Sequence, residues 1–253
     1  MKKHIIPSLL KAAEVLRQIV AHDEGLTQAE IQSIVHLPKA TAFRILNSWI
    51  NEGFVRKVGT RYFAGIALAQ AGLKSLKGLE LRDKARPVLA KLAHLSGETA
   101  HLAAQSGAHA LILEVADSPN PVRAASRAGA LADIHCSSTG KVFLAAKSNE
   151  EIEEVLARSS LDPRTPKTHT SLATLMEDLE NVRANGYAVD NEEYYRGVRC
   201  LAAPVHDATG QLIAAIGITG TADRFTTDRN QEISEYVKDA AHELQRKIGN
   251  LFE

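Results

Sequence analysis

The sequence predicts a two-domain α+β protein: a small helical head closed by a β-hairpin, then a larger body in which strands and helices intersperse. Three observations point there. Residues 25–54 carry two short helical patterns with a tight corner between them, and two short basic strands follow at once. From Leu79 to Glu253 apolar strand-like runs alternate with helical ones. The charge is also segregated. The 253 residues hold 30 Lys+Arg and 30 Asp+Glu, yet Met1 to Lys77 has 11 basic against 5 acidic residues, leaving 19 against 25 beyond it. A basic head beside an acidic body suits a polyanion at one end only.

The totals exclude several classes. Two cysteines, Cys136 and Cys200, make no disulfide framework, so a reducing cytoplasm is expected. Ile5-Ile6-Pro7 is too short for a signal-peptide core, and no apolar run reaches membrane length. There is no repeat and no low-complexity tract.

The first helix is expected from Ile5 to about His22, with Leu9, Ala12, Ala13, Val15, Leu16, Ile19 and Val20 on a broad apolar face. Thr27 is an N-cap, and Glu30 three residues later completes a capping box for a helix from Gln28 to about Val35, with Ala29, Ile31 and Ile34 apolar. His36-Leu37-Pro38 makes the corner, because the residue before proline avoids the helical region while proline suits the start of a helix. The next helix runs from about Lys39 to Glu52 and stops at Gly53. Ala42, Phe43, Leu46, Trp49 and Ile50 form its apolar stripe; Lys39, Thr41, Arg44, Asn47, Ser48 and Asn51 form the opposite face. Residues 54–58 and 61–63 read as strands joined across Gly59-Thr60. A helix-turn-helix followed by a basic hairpin is a winged helix, the alternative being an ordinary αα-hairpin beside a β-hairpin. In the winged-helix reading the second helix enters the major groove of double-stranded DNA. Thr41 and Arg44 are the first choices for base contacts, Asn47 shares their face, and Lys39, Arg56, Lys57 and Arg61 hold phosphates.

Gly65 to Lys77 alternates small and aliphatic residues and reads as a linker helix. Glu80 to about Leu95 is a long amphipathic helix, which Pro87 is expected to kink or restart. Strands follow at Thr99–Gln105 and Ala110–Ala116, with a further short one expected at Val122–Ser126 and a loop at Gly129–Ile134. Helices are expected from about Lys141 to Ala146, Glu150 to Ser159 and Ser171 to Asn185. A short strand at 187–189 precedes a polar loop from Asp190 to Gly197. Val198–His206 and Gln211–Gly220 are apolar strands, and a last helix spans Thr227 to Ile248.

Catalytic patterns fail in the body. A P-loop needs glycine where His135 stands and a hydroxyl where Val142 stands. Ser138-Thr139-Gly140-Lys141 matches S-x-x-K, but the accompanying S-D-N and K-T-G signals are absent. Instead Ser138, Thr139 and Gly140 sit where a loop enters a helix, and their backbone N–H groups are expected to be free for a carboxylate; a plain capped helix start is the alternative. Asp190, Glu192 and Glu193 lie on one loop, either solvated or facing a hydroxyl-rich ligand or a metal. His135, Cys136, Cys200 and His206 lack metal-ligand spacing, so no metal and no cofactor is expected.

Three runs then carry a resemblance: Ile134-His135-Cys136-Ser137-Ser138-Thr139-Gly140-Lys141-Val142-Phe143-Leu144-Ala145, Asn185-Gly186-Tyr187-Ala188-Val189-Asp190-Asn191-Glu192-Glu193, and Gly197-Val198-Arg199-Cys200-Leu201-Ala202-Ala203-Pro204-Val205. With Ala85–Leu89, Gly97–Leu102 and the winged helix, they make the whole chain resemble the IclR family of bacterial transcriptional regulators. The resemblance implies a winged helix-turn-helix DNA-binding domain at 1–64, a linker helix at 65–78 and a GAF-like effector-binding domain at 79–253. It implies a homodimer or dimer of dimers on palindromic operator DNA, switched by a small organic, sugar or aromatic acid, with no catalysis. It places the effector at Ser137, Ser138, Thr139, Gly140, Asp190, Val198, Cys200, Gly217 and Thr219. Ala124 and Ala132 fall at wall positions that often carry larger groups, which suggests room for more than a two- or three-carbon acid. The competing class is an enzyme-like or sensor body whose helix-turn-helix serves another role.

Overall fold

The computed structural model describes residues 6–77, 80–157 and 160–249. The expected boundaries at Ile5, Gly78, Leu79 and Ser159 lie outside them. The chain divides into two compact units, Met1–Gly78 and Leu79–Glu253.

The first unit holds α1 (Pro7–Ala21), β1 (Leu26–Thr27), α2 (Gln28–Val35), α3 (Lys39–Asn51), β2 (Val55–Val58), β3 (Arg61–Ala64) and α4 (Ile66–Lys77). Pro7 opens α1, where its missing N–H costs nothing. The Thr27 hydroxyl accepts from the Glu30 N–H, and the Glu30 carboxylate accepts from the Thr27 N–H at 2.7 Å. His36 ends α2 in the left-handed region, at φ 53°. The strands pair in the order β1-β3-β2, all antiparallel, so the wing is stitched to the residues that open α2. Val15, Ile19, Ile31, Leu37, Ala42, Leu46, Val55 and Tyr62 form the core. The Trp49 indole N–H donates to the Ala12 carbonyl at 3.1 Å and closes α3 onto α1. Gly65 must be glycine: a Cβ there would lie 2.1 Å from the Gly53 carbonyl oxygen.

Five positions expected on apolar faces are exposed: Leu9, Val20, Ala29, Ile34 and Phe43. Phe43 is 53% exposed and Ile34 41% exposed. A head this small buries a narrow stripe of each helix. Ala42 and Leu46 fill the stripe of α3, and the helical step of 100° turns Phe43 out of it. Leu9 and Val20 on α1 are exposed for the same reason.

The second unit is built on one antiparallel six-stranded sheet. Its strands are β4 (Thr99–Ser106), β5 (His109–Ala116), β6 (Leu131–Asp133), β7 (Ala188–Asn191), β8 (Val198–His206) and β9 (Leu212–Thr221), in the order β6-β5-β4-β9-β8-β7. Helices α5 (Glu80–Ser96) and α9 (Asn230–Ile248) cover one face, meeting Leu201, Ala203, Val205, Ala214, Ile216 and Ile218. Helices α6 (Ser138–Ala145), α7 (Asn149–Leu156) and α8 (Leu172–Asn185) join a second core on the other face, with Ala202 and Ala215. The period-2 alternation of both long strands explains why they read as apolar throughout: both faces are buried. Pro204 lies beyond the end of β7, where β8 has lost one neighbour.

Three expectations change here. Helix α5 does not restart at Pro87 but continues through it as one helix, with Ala85, Val88, Leu89 and Leu92 on its buried face. Residues 122–126 form no strand; the edge strand is β6, inside the segment expected to be loop, and it pairs with β5 at Leu111↔Leu131. Asp190 belongs to β7 rather than to the loop after it.

Candidate functional site

Two surfaces collect the chemistry, one in each unit. In the first, Lys39, Ala40, Phe43, Arg44, Asn47 and Ser48 are exposed along α3. Thr41 is half-buried and lines a cleft beside α1 with Ser8, Lys11, Arg44 and Trp49. On the wing, Arg56 and Lys57 are exposed, and each leans on a ring of the facing strand. The Arg56 guanidinium carbon lies 4.8 Å from the Phe63 ring centre, and the Lys57 ammonium 5.4 Å from that of Tyr62. These contacts follow from the register, which sets Arg56 opposite Phe63 and Lys57 opposite Tyr62. Arg61 is placed differently. Its guanidinium donates to the Gly25 carbonyl at 2.8 Å and stands 3.5 Å from the Glu30 carboxylate. It therefore braces the loop that starts the helix-turn-helix.

In the second unit, a cavity of about 470 Å³ opens between the sheet, the start of α6 and the segment 124–132. Strand register assembles its floor. Asp190 lies opposite Cys200 and Cys200 opposite Thr219, so three adjacent strands present three polar groups side by side. The Cys200 thiol is 3.3 Å from the Thr219 hydroxyl, which is 3.4 Å from Nδ1 of His101. Burial pushes His101 down to about 4, so its ring is neutral near pH 7. Burial, aided by the Glu193 charge, pushes Asp190 up to about 7 against the pull of two backbone N–H donors. Those donors are Glu193 at 2.7 Å and Tyr194 at 3.2 Å, both to Oδ1. Burial also raises the Cys200 thiol well above its ordinary value, which keeps it protonated and unreactive.

Nine of the eleven residues expected around an effector line this cavity: Ala124, Ala132, Ser137, Ser138, Thr139, Asp190, Val198, Cys200 and Thr219. Gly140 and Gly217 do not. A Cβ on Gly140 would lie 2.5 Å from the Ile134 backbone, and one on Gly217 would lie 2.4 Å from the Leu201 carbonyl oxygen. Both allow close packing of backbone on backbone. The Gly140 N–H is also not free, since it donates to the Ser137 hydroxyl at 3.2 Å as the capping bond of α6. The expected cradle of three amides thus reduces to Ser138 and Thr139. Their side chains are almost wholly buried, line the cavity and have no hydrogen-bond partner among the described residues.

The sequence reading missed part of the wall. His101 comes from β4, and Arg127 and Tyr194 come from loops. Lys141, read from sequence only as part of an S-x-x-K match, is fully buried. Its ammonium lies 2.7 Å from both Glu193 and Asp178. Burial alone would lower the Lys141 ammonium, but the two carboxylates outweigh it and hold it above its usual value. Glu193 and Asp190, for which a solvated and a ligand-facing reading were both open, are 5% and 1% exposed.

Two groups of side chains have metal-ligating character: Asp133 with His135 and Cys136, and His169 with Asp178 and Glu193. In each a protein cation already holds the carboxylates. Arg164 donates to Asp133 at 2.6 Å, and Lys141 holds the other pair. Cys200 and His206 belong to neither group. Among the described residues no helix is long and apolar enough to cross a membrane.

Comparison with known proteins covers both units. A family model described as the IclR helix-turn-helix domain matches residues 8–59, and one described as bacterial transcriptional regulator IclR C-terminal matches residues 73–246. The chain is 32% identical over 250 residues to the transcriptional repressor IclR of Escherichia coli, covering 97% of this chain and 91% of that one. It is 32% identical over 241 residues to the HTH-type transcriptional regulator BhcR of Paracoccus denitrificans, covering 94% and 86%. The crystal structure of Thermotoga maritima IclR matches with a TM-score of 0.67 at 32% identity, over 96% of this chain and 99% of that one. An IclR-type regulator from Alicyclobacillus acidocaldarius shares the fold, with a TM-score of 0.80 at 23% identity over 97% and 100%. The relatives are named as regulators, not enzymes.

Proposed function

This chain belongs to the IclR family of DNA-binding transcriptional regulators, and from that premise we propose how its two surfaces divide the work. The segment 1–64 binds operator DNA, 65–78 links, and 79–253 holds a small acidic effector. Arg44 and Thr41 contact bases, with Asn47 on the same helix; Lys39, Arg56 and Lys57 hold phosphates. Arg61 reaches DNA only with the part of its guanidinium that Gly25 and Glu30 leave open. The operator is palindromic and a homodimer or dimer of dimers binds it. Relatives named as repressors support a repressor here.

The observation that carries the effector reading is the cavity itself. Two buried hydroxyls without partners and a row of Asp190, Cys200 and Thr219 face one space of about 470 Å³. An acid would set its carboxylate on the Ser138 and Thr139 amides and hydroxyls. Asp190 would meet a ligand hydroxyl, donating while it keeps its proton and accepting once ionised. The alanines at 124, 125, 130 and 132 leave room for a chain or ring beyond a three-carbon acid. Such a ligand switches the protein only if it favours one arrangement of the DNA-binding segments over another.

The test is binding to DNA flanking the protein's own gene, followed by anisotropy against rising salt and then a panel of organic, sugar and aromatic acids. Selective, salt-sensitive binding that one acid shifts is the expected result. An effector whose affinity is unchanged in Asp190→Ala would remove Asp190 from the site.

A further inference from the structure

The geometry points to Phe43 as a reader of a thymine methyl group in the operator. The inference rests on α3 being the recognition helix. Ala40, Phe43, Arg44 and Asn47 are all exposed and spaced i, i+3, i+4 and i+7, so they share one side of that helix. Phe43 is 53% exposed, while Ala42 and Leu46 beside it are wholly buried. Among the described residues its ring makes neither a stacking nor a cation–π contact, unlike Trp49, Phe54 and Phe63 in the same unit. Nothing in the head needs this phenyl group for its core.

The surroundings select the occupant. Lys39 and Arg44 flank the ring along the helix and Asn47 follows one turn on, a basic and hydrogen-bonding setting that suits a nucleic acid groove. The major groove offers donors and acceptors from every base pair and one apolar group, the C5 methyl of thymine. A phenyl ring entering that groove can recover apolar contact only there. Phe43 therefore adds a requirement for thymine within the half-site that Arg44 also reads.

The test removes the methyl alone. The full-length protein selects its site from a randomised duplex pool, and each thymine of the selected half-site is replaced in turn by deoxyuridine, which keeps every hydrogen-bonding edge. For one thymine per half-site, wild-type affinity is expected to fall roughly fourfold per methyl removed, from the transfer value of one buried carbon. Phe43→Ala is expected to bind the thymine site more weakly and to ignore the replacement, whereas Lys57→Ala weakens both duplexes alike and keeps the difference. Phe43→Leu, with a smaller apolar group, should keep part of it. Wild type indifferent to every replacement, or Phe43→Ala as sensitive as wild type, would overturn the proposal. So would a Phe43→Ala variant that alters subunit association and leaves the thymine preference intact, since the ring would then face a second copy. If Arg44→Ala also leaves selectivity untouched, α3 is not the recognition helix and both readings fall. If Arg44 matters and the methyl does not, only the role of Phe43 falls.

Discussion

Arg44 and Lys57 carry the same charge and are placed to do different things. Arg44 projects from the open side of α3, where a guanidinium can pair two hydrogen bonds with a guanine edge. Lys57 lies on the wing with its ammonium over Tyr62, a point charge with no base to recognise. Arg44→Ala should cost about 1–3 kcal/mol at the operator and relax specificity, and Lys57→Ala should weaken all duplexes similarly while lowering the salt slope by about 1. Competition titrations against random duplex separate the two; a selective Arg44→Ala protein contradicts the assignment. Asp190 offers a test by pH. A free aspartate ionises near 4, whereas this carboxyl holds its proton up to about 7, chiefly through burial. Between those values the folded chain binds more protons than the unfolded one. The stability this residue contributes is therefore complete below about 4, declines as pH rises, and is gone above about 7. Asp190→Asn, uncharged throughout, should flatten that part of the profile. Urea midpoints measured from acid to neutral pH for both proteins check it, and parallel profiles would refute it.

At the scale of elements, helix α6 is where binding and packing must be kept apart. Its first turn faces the cavity through Ser138 and Thr139, while Gly140 turns inward against Ile134. A methyl group at 140 has no space, so Gly140→Ala should destabilise the body by about 1–3 kcal/mol through overpacking. Chemical denaturation reads that directly, and an unchanged midpoint would show that the Ile134 backbone can give way. Lys141, the next residue, ties α6 to Asp178 on α8 and to Glu193 in the loop after β7. Lys141→Met leaves two carboxylates in place without their cation, and should cost roughly 3–5 kcal/mol. Restoring stability with a second change, Glu193→Gln, would show that the penalty is the stranded charge and not lost packing. The elements themselves were largely legible beforehand. The capping box at Thr27 and Glu30, the corner at Pro38 and the hairpin at Gly59 are local chemistry, and the structure shows each in place. At Pro87 tertiary packing carries the helix past a local breaker, and the edge strand β6 was hidden because three residues carry too short a pattern to read.

For the whole molecule, the proposed coupling joins a basic head to an acidic body through α4. The charge split of 11 against 5 and 19 against 25 means that DNA is attracted to one unit and repelled by the other. An effector acid can alter DNA affinity only through differential binding, so its own affinity must change by the same factor when operator is present. Calorimetric titration of the acid with and without operator should return equal coupling factors; an acid that binds equally well in both cases is not the effector. The sequence by itself determined the two-domain plan, the helix-turn-helix and most of the residues that line the cavity of the body, because caps, turns, periodicity and motif order are written in neighbouring residues. Only the tertiary structure decided which groups face one another: that Asp190, Cys200 and Thr219 align across three strands, that Gly140 and Gly217 serve packing, that Lys141 is buried between two acids, and that Phe43 faces outward. Those outcomes depend on strand register and on how wide a stripe each helix buries, and both are settled by contacts between residues far apart in the chain.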